Sequence, residues 1–184
     1  MSKLIWHITM SVDGFIAGPN GAMDWMFAFI GPNPAADAIV RSIGAVLAGR
    51  RSYDLGRRHA SDKKNPGIYG GAWTGPVFVL THKPPTDEQD ATITFLSDGI
   101  REAVATARQA AAGKSVLIIG ANVAQQCLEL GLVDEILVHL VPLLLGDGIR
   151  LFGQPGARPI QLQAQDYSQA GQVANLHFRV PTAA

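Results

Sequence analysis

Short apolar runs, each ended by glycine or a polar turn, alternate along this chain with stretches of helical periodicity. Leu4 to Val12, Ala45 to Ala48, Val77 to Leu80, Ile93 to Leu96, Ser115 to Ile119 and Val133 to Leu145 read as buried strands. Between them, Asn33-Pro34 reads as an N-cap and first helical residue ahead of Ala36, Ile39, Val40 and Ile43, with Gly44 as the stop. Ser97 or Asp98 caps a second helix bearing Ile100, Val104 and Ala107 on one face, stopped by Gly113. Val123, Cys127 and Leu130 share a face of a third, closed by Gly131. Leu55 to Trp73 reads as mostly loop. The chain ends in two alternating stretches, Ile160 to Ala164 and Ala174 to Val180, joined by a turn over Ser168 to Gly171.

Strands that alternate with helices pair in parallel through crossovers. The expected fold is therefore α/β, with a mixed, mainly parallel central sheet between helices on both faces and a C-terminal antiparallel hairpin. At 184 residues one domain, 1–184, is expected. Ligands of such sheets bind beyond the C-terminal strand ends, and in this chain the glycine-rich and polar clusters follow the apolar runs.

Composition narrows the partners. With 47% hydrophobic and 16% charged residues and a formal net charge of +0, the chain is globular, and no basic excess favours nucleic acid or an anionic membrane. One cysteine, Cys127, forms no intramolecular disulfide framework and fits a reducing cytosol. The N-terminus lacks a signal-peptide pattern, and Ile136 to Leu145 is too short to span a bilayer. A cytoplasmic location is expected.

Two nucleotide motifs fail. Gly146-Asp147-Gly148 has Leu151 where a dinucleotide fingerprint needs its third glycine, and Gly113-Lys114-Ser115 has Arg108 where a P-loop begins. "VLIIGANVAQQCL" is better: a strand delivers Gly120 onto a helix start, where free N–H groups favour an anion. Asn122 caps that helix or donates to a ligand; the same residues also suit a plain strand-to-helix turn. "AVLAGRRSY" repeats the design with Gly49, Arg50, Arg51 and Ser52, and an arginine fork suits phosphate. It also reads as a solvated helix start. "VFVLTHKPP" places Thr81, His82 and Lys83 after a third strand, as phosphate contacts or as a polar loop. If the three strands are neighbours, one rim offers a helix start for a pyrophosphate and extra positive charge, which argues for NADP over NAD. His7, His139 and His177 lack metal-ligand spacing and read as satisfied sheet residues, so no metal site is expected. Asp13, Asp24, Asp37 and Asp54 are the acid/base candidates.

The segments "SVDGFIAGPNGAMDW", "GAVLAGRRSYD", "PVFVLTHKP" and "VLIIGANVAQQCLELGLVDEILVHLVPLLLGDGIRLF" cover most of the chain. Together they resemble the dihydrofolate reductase-like superfamily, and within it the reductase domain of riboflavin biosynthesis. The resemblance implies an NADPH-dependent oxidoreductase acting on a pteridine, pyrimidine or similar heterocycle, and a homodimer. Gly120, Ala121, Asn122, Val123 and Ala124 would hold the pyrophosphate. Gly49, Arg50, Arg51, Ser52, Leu80, Thr81, His82 and Lys83 would hold the adenosine phosphates, and Thr9, Ile16 and Ala17 would border the nicotinamide. Asp13, Trp25 and Tyr53 would face the substrate, Asp13 by shaping its loop, with Asp24 as proton donor. Gly14, Gly18 and Gly21 would let that loop fold as a lid. Folate reductases carry an acid just beyond the matching tryptophan; this chain has Phe27-Ala28-Phe29-Ile30. A nucleotide-binding protein without turnover is the rival expectation.

Overall fold

The computed structural model describes residues 2–60, 67–152 and 158–181. Among them the elements run β1 Leu4–Ser11, β2 Phe15–Ala17, α1 Pro34–Ser42, β3 Ile43–Gly49, α2 Arg50–Ala60, β4 Val77–Leu80, β5 Ile93–Leu96 and α3 Ile100–Ala110. They continue with β6 Ser115–Ile119, α4 Ala121–Glu129, β7 Glu135–Val141, β8 Ile149–Arg150, β9 Gln163–Ala170 and β10 Val173–Arg179. The main sheet has the order β5-β4-β3-β6-β1-β7-β10-β9. Its first six strands are parallel, while β10 pairs antiparallel with β7 and with β9.

Alternation along the strands divides the core in two. Leu4, Trp6, Leu47, Ile118 and Ile136 face one side, packed against Ala103, Val104 and Ala107 of α3 and Val123 and Cys127 of α4. Ile5, Val46, Ala48, Leu117 and Leu137 face the other, where Ile39 of α1 joins them. At nine residues α1 is too short to persist alone. It is held by burial of Ile39 and by Asn33, whose Oδ1 accepts from Ala36 N at 3.5 Å, a cap worth about 1 kcal/mol.

Several boundaries differ from the sequence reading, each for a physical reason. Leu55 to Ala60 is helical, because α2 is fixed from outside itself: Tyr53 lies edge-on to Phe95 at 5.2 Å, and Arg57 pairs with Asp87 at 3.3 Å. Within the expected loop, 61–66 lie outside the described residues. Gly44 is not a helix stop but part of β3. A β-carbon there would stand 2.4 Å from the Ala111 carbonyl oxygen, so β3 passes against the end of α3 only because this residue is glycine. The second helix starts after Gly99 without a side-chain cap, not at Ser97 or Asp98. β7 ends before Pro142, which cannot donate to a ladder. The hairpin turn falls after Ala170 rather than across Ser168, and β9 presents polar residues to solvent along most of its length. The small β2–β8 pair was not foreseen. Among the described residues no helix is long and apolar enough to cross a membrane.

Candidate active site

β1 lies between β6 and β7, yet His7, Ile8, Thr9 and Met10 are only half-buried, whereas Leu4, Ile5 and Trp6 are closed. His7 to Met10 are thus partly open on both faces of this central strand, a part-open floor beside the strand ends, before the chain closes again at Ser11. Ile119, Gly120 and Gly49, at the ends of the neighbouring strands, are half-buried too.

On one side of that floor three polar clusters meet. Pairing aligns Ala48 with Ile119 and Gly49 with Leu80, so β3, β4 and β6 end at one level. Gly120 has φ +108°, and a β-carbon on it would stand 2.7 Å from Ser52 Oγ. A β-carbon on Gly49 would lie 3.1 Å from Val123. The starts of α2 and α4 therefore touch with only glycine between them. The first helical bond of α4 is Ala124 N to Gly120 O at 3.1 Å, which leaves the N–H groups of Ala121, Asn122 and Val123 without an i−4 acceptor. Ala124 does not join them: its N–H is used and its side chain is in the core. Asn122 is not the cap; its Oδ1 accepts from Gln126 Nε2. The arginines divide. Arg50 donates to Asp54 and to the Lys83 carbonyl, tying α2 to the Thr81–Lys83 turn. Arg51 is exposed and makes no ion pair among the described residues. Thr81 Oγ1 accepts from Lys83 N at 3.2 Å, and His82 and Lys83 are exposed.

The loop after β1 is clamped. Asp13 accepts from Ser11 Oγ at 2.6 Å, Leu145 N at 3.1 Å and Gly146 N at 2.7 Å. Those donors, the Ser11 hydroxyl foremost, hold its carboxyl at about 2. Asp13 thus joins two loops, the loop-shaping part of its expected role. Ile16 and Ala17 are buried in β2, so the segment is a paired strand rather than a free lid. Beyond it, Gly18 N donates to Ala22 O, and Gly21 abuts Leu55 of α2. Trp25 is half-buried and donates Nε1–H to the Ala22 carbonyl at 3.2 Å, while Asp24 beside it is exposed. Tyr53 is not with them. It lies about 200° around α2 from Leu55, its hydroxyl donates to Glu88, and its ring packs on β5. Its expected substrate contact is corrected accordingly.

On the α1 face, a line of polar side chains crosses the sheet. Tyr69 Oη is 2.5 Å from His7 Nδ1, and His7 Nε2 contacts His139 Nε2. His139 Nδ1 is 2.5 Å from Asn175 Oδ1. Asn175 and Asn33 pair through both amides, at 2.9 and 3.1 Å. Burial, reinforced by His139 and His177, pulls His7 down to about 3, and burial lowers His139 as well. No third metal-ligating side chain joins the two rings among the described residues.

A family model, the RibD C-terminal domain, matches residues 2–174. The chain belongs to the RibD C-terminal domain family. It is 27% identical over 178 residues to the uncharacterized protein YwjB of Bacillus subtilis (strain 168), covering 96% of this chain and 97% of that one. A second B. subtilis relative, the uncharacterized protein YyaP, is 28% identical over 154 residues, covering 82% and 80%. Among solved structures, the "Putative riboflavin biosynthesis protein" from Shewanella sp. PV-4 superposes with a TM-score of 0.78 at 22% identity, covering 98% of this chain and 99% of that one. A diaminohydroxyphosphoribosylaminopyrimidine deaminase/5-amino-6-(5-phosphoribosylamino)uracil reductase from Thermotoga maritima gives 0.63 at 14% identity, with this chain spanning 57% of it. At these identities the solved structures share the fold.

In this RibD C-terminal domain fold, the structure brings Gly49–Ser52, Thr81–Lys83 and Gly120–Val123 to one rim, with Thr9 on the adjoining floor. Sequence reasoning missed the line from Tyr69 to Asn175. His7 and His139 are 132 residues apart in the chain, and the one signal present was that each histidine interrupts a run that reads as a buried strand.

Proposed function

We propose that this protein is an NADPH-dependent reductase of a small pteridine- or pyrimidine-type heterocycle. The observation that carries the reading is the meeting of two helix starts at Gly120, where an added β-carbon would strike Ser52. With no side chain on Gly120, the free backbone N–H groups of α4 and the Ser52 hydroxyl stand side by side, and a phosphate can take both at close range. The N–H groups of Ala121, Asn122 and Val123 and the first turn of α2 would hold the pyrophosphate. Arg51, His82 and Lys83 would hold the additional ribose phosphate, and Thr9, with Ile16 and Ala17, would border the nicotinamide. When bound, the cofactor supplies hydride. Trp25 and the half-open floor of β1 would receive a flat heterocycle, with Asp24 as proton donor. The solved Thermotoga relative is described as a 5-amino-6-(5-phosphoribosylamino)uracil reductase, which supports that substrate class. A cytoplasmic homodimer joined along the β9 edge completes the reading, with light scattering at twice the chain mass as its check.

Thermal denaturation with NADPH, NADH and 2′-phospho-AMP tests the cofactor. A rise with NADPH and 2′-phospho-AMP but little with NADH is expected, and no rise with any of them removes the reading. NADPH oxidation with the ribosylaminopyrimidine phosphate and with dihydrofolate then separates turnover from binding alone.

A further inference from the structure

The protons along the line from Tyr69 to Asn175 have one consistent arrangement, and it is fixed from outside. Asn33 caps α1, so its Oδ1 faces the N–H of Ala36, and its Nδ2 donates to Asn175 Oδ1 at 2.9 Å, the nearer of its two contacts, His139 Nδ1 lying at 3.4 Å. Asn175 is then oriented with Nδ2 toward Asn33 Oδ1 and Ser168 Oγ, at 3.1 Å each. Its Oδ1 can only accept, and His139 Nδ1 lies 2.5 Å from it. His139 therefore carries its proton on Nδ1. A neutral imidazole has one N–H, so His139 Nε2 is an acceptor and His7 Nε2 must donate to it. His7 Nδ1 is in turn an acceptor, and the Tyr69 hydroxyl donates into it.

Every proton in the line thus points inward, from Tyr69 toward Asn175. The Tyr69 oxygen is left with lone pairs that no described residue fills. A second observation shows that the hydroxyl is held in place at some cost. Tyr69 has φ +54° and ψ +38°, a left-handed conformation that bulky residues avoid. Its ring is stacked over His7, with centroids 5.5 Å apart and planes at 26°. His7 and Tyr69 are both half-buried, on the same face of β1 as Thr9, where the strand floor opens.

We propose that Tyr69 is a specificity-determining acceptor on the substrate side of this site, its polarity locked by His7, His139, Asn175 and Asn33, and that it selects a heterocycle edge bearing an N–H donor. The inference rests on the reductase reading for the class of ligand. A lactam or amino N–H, as pteridines and pyrimidines carry, fits an oxygen that can only accept. An edge presenting a carbonyl or bare ring nitrogen meets lone pair against lone pair. N-alkylated rings also lose the contact. His7 and His139 are positioning residues, acting through Tyr69.

Two measurements test it. Long-range proton–nitrogen NMR on the full chain should report the Nδ1–H tautomer for His139 and the Nε2–H tautomer for His7. An Nε2–H tautomer at His139 overturns the locked polarity, whatever the protein binds. Saturation-transfer NMR with lumazine and 1,3-dimethyllumazine in the presence of NADP+ reads the preference. The unaltered protein should favour lumazine at least fivefold, and Tyr69→Phe should bring the two within a factor of two. His7→Phe, which breaks the line while leaving Tyr69 in place, should also lose the preference; His7→Gln, which keeps an acceptor, should retain part of it. Equal binding of both probes by the unaltered protein, undiminished preference in Tyr69→Phe, or no binding of either probe each overturns the assignment. NADPH affinity should be the same in all four proteins. A failure of NADPH to bind sinks the reductase reading, whereas the locked polarity stands or falls on the histidine tautomers alone.

Discussion

Ser52 Oγ occupies the space that a side chain on Gly120 would need, 2.7 Å from where its β-carbon would stand. The contact joins α2 to α4 at the end of the sheet, and two costs follow for Gly120→Ala. The residue must hold a φ of +108° that L side chains rarely adopt, and Ser52 must move. A stability loss of about 1–3 kcal/mol is expected, with NADPH affinity down at least tenfold. Adding Ser52→Gly should recover the steric part of the stability and little of the affinity. Urea denaturation and calorimetric titration separate the two. Unchanged NADPH affinity in Gly120→Ala would remove this rim as the pyrophosphate site.

Arg50 and Arg51 are adjacent in sequence but differently occupied, so their variants should differ in kind. Arg51→Ala removes an exposed guanidinium, and a charged hydrogen bond to phosphate is worth about 1.5–3 kcal/mol. NADPH binding should weaken about tenfold or more, with NADH unaffected. Arg50→Ala instead frees the Lys83 carbonyl and Asp54, loosening the Thr81–Lys83 turn. It should weaken both nucleotides alike and lower the melting temperature. Equal selectivity loss in the two variants refutes this division.

The order of strands and helices, and the rim they form, was legible because periodicity and turn residues are local. The sheet's six parallel strands and its terminal hairpin follow from that pattern. α2 was not legible past Leu55: Gly56, Pro66 and the clustered charges between them suggest irregular chain, and the contacts that hold the helix, Tyr53 on Phe95 and Arg57 on Asp87, come from elsewhere in the chain. β9 was misplaced for a related reason, since an edge strand exposed over most of its length shows little apolar alternation. Tyr53 has a side chain suited to a substrate, yet packing uses it. The line from Tyr69 to Asn175 depends on register between strands distant in sequence, which no single segment encodes.

Asp24 sits inside the turn that Trp25 closes on the Ala22 carbonyl, and it faces solvent. Under the reductase reading, Asp24→Asn should lower kcat tenfold or more while NADPH affinity stays within a factor of two. Retained turnover in that variant would take the proton-donor role from Asp24.

Acid stability should show two separable limbs. A histidine whose native pKa lies below the unfolded value of about 6.5 binds a proton only when unfolded across the interval between. The neutral His7–His139 pair therefore contributes fully above about pH 6.5, loses its contribution as pH falls, and for His7 stops losing it below about 3, where the native ring is protonated too. The slope one such group can give is at most about 1.4 kcal/mol per pH unit. Asp13 works in a lower window: its depressed carboxyl stabilises above the unfolded value of about 3.9, and that contribution is lost as pH falls toward about 2. Urea denaturation in pH steps should show His7→Gln with a shallower decline between about pH 6 and 4 than the unaltered protein. Asp13→Asn should lower stability at neutral pH, leave the slope in that upper window intact, and flatten the decline below about pH 4. A slope between pH 6 and 4 that is the same in His7→Gln would mean that the pair is already protonated in the native state, and with it the inward proton order would fall.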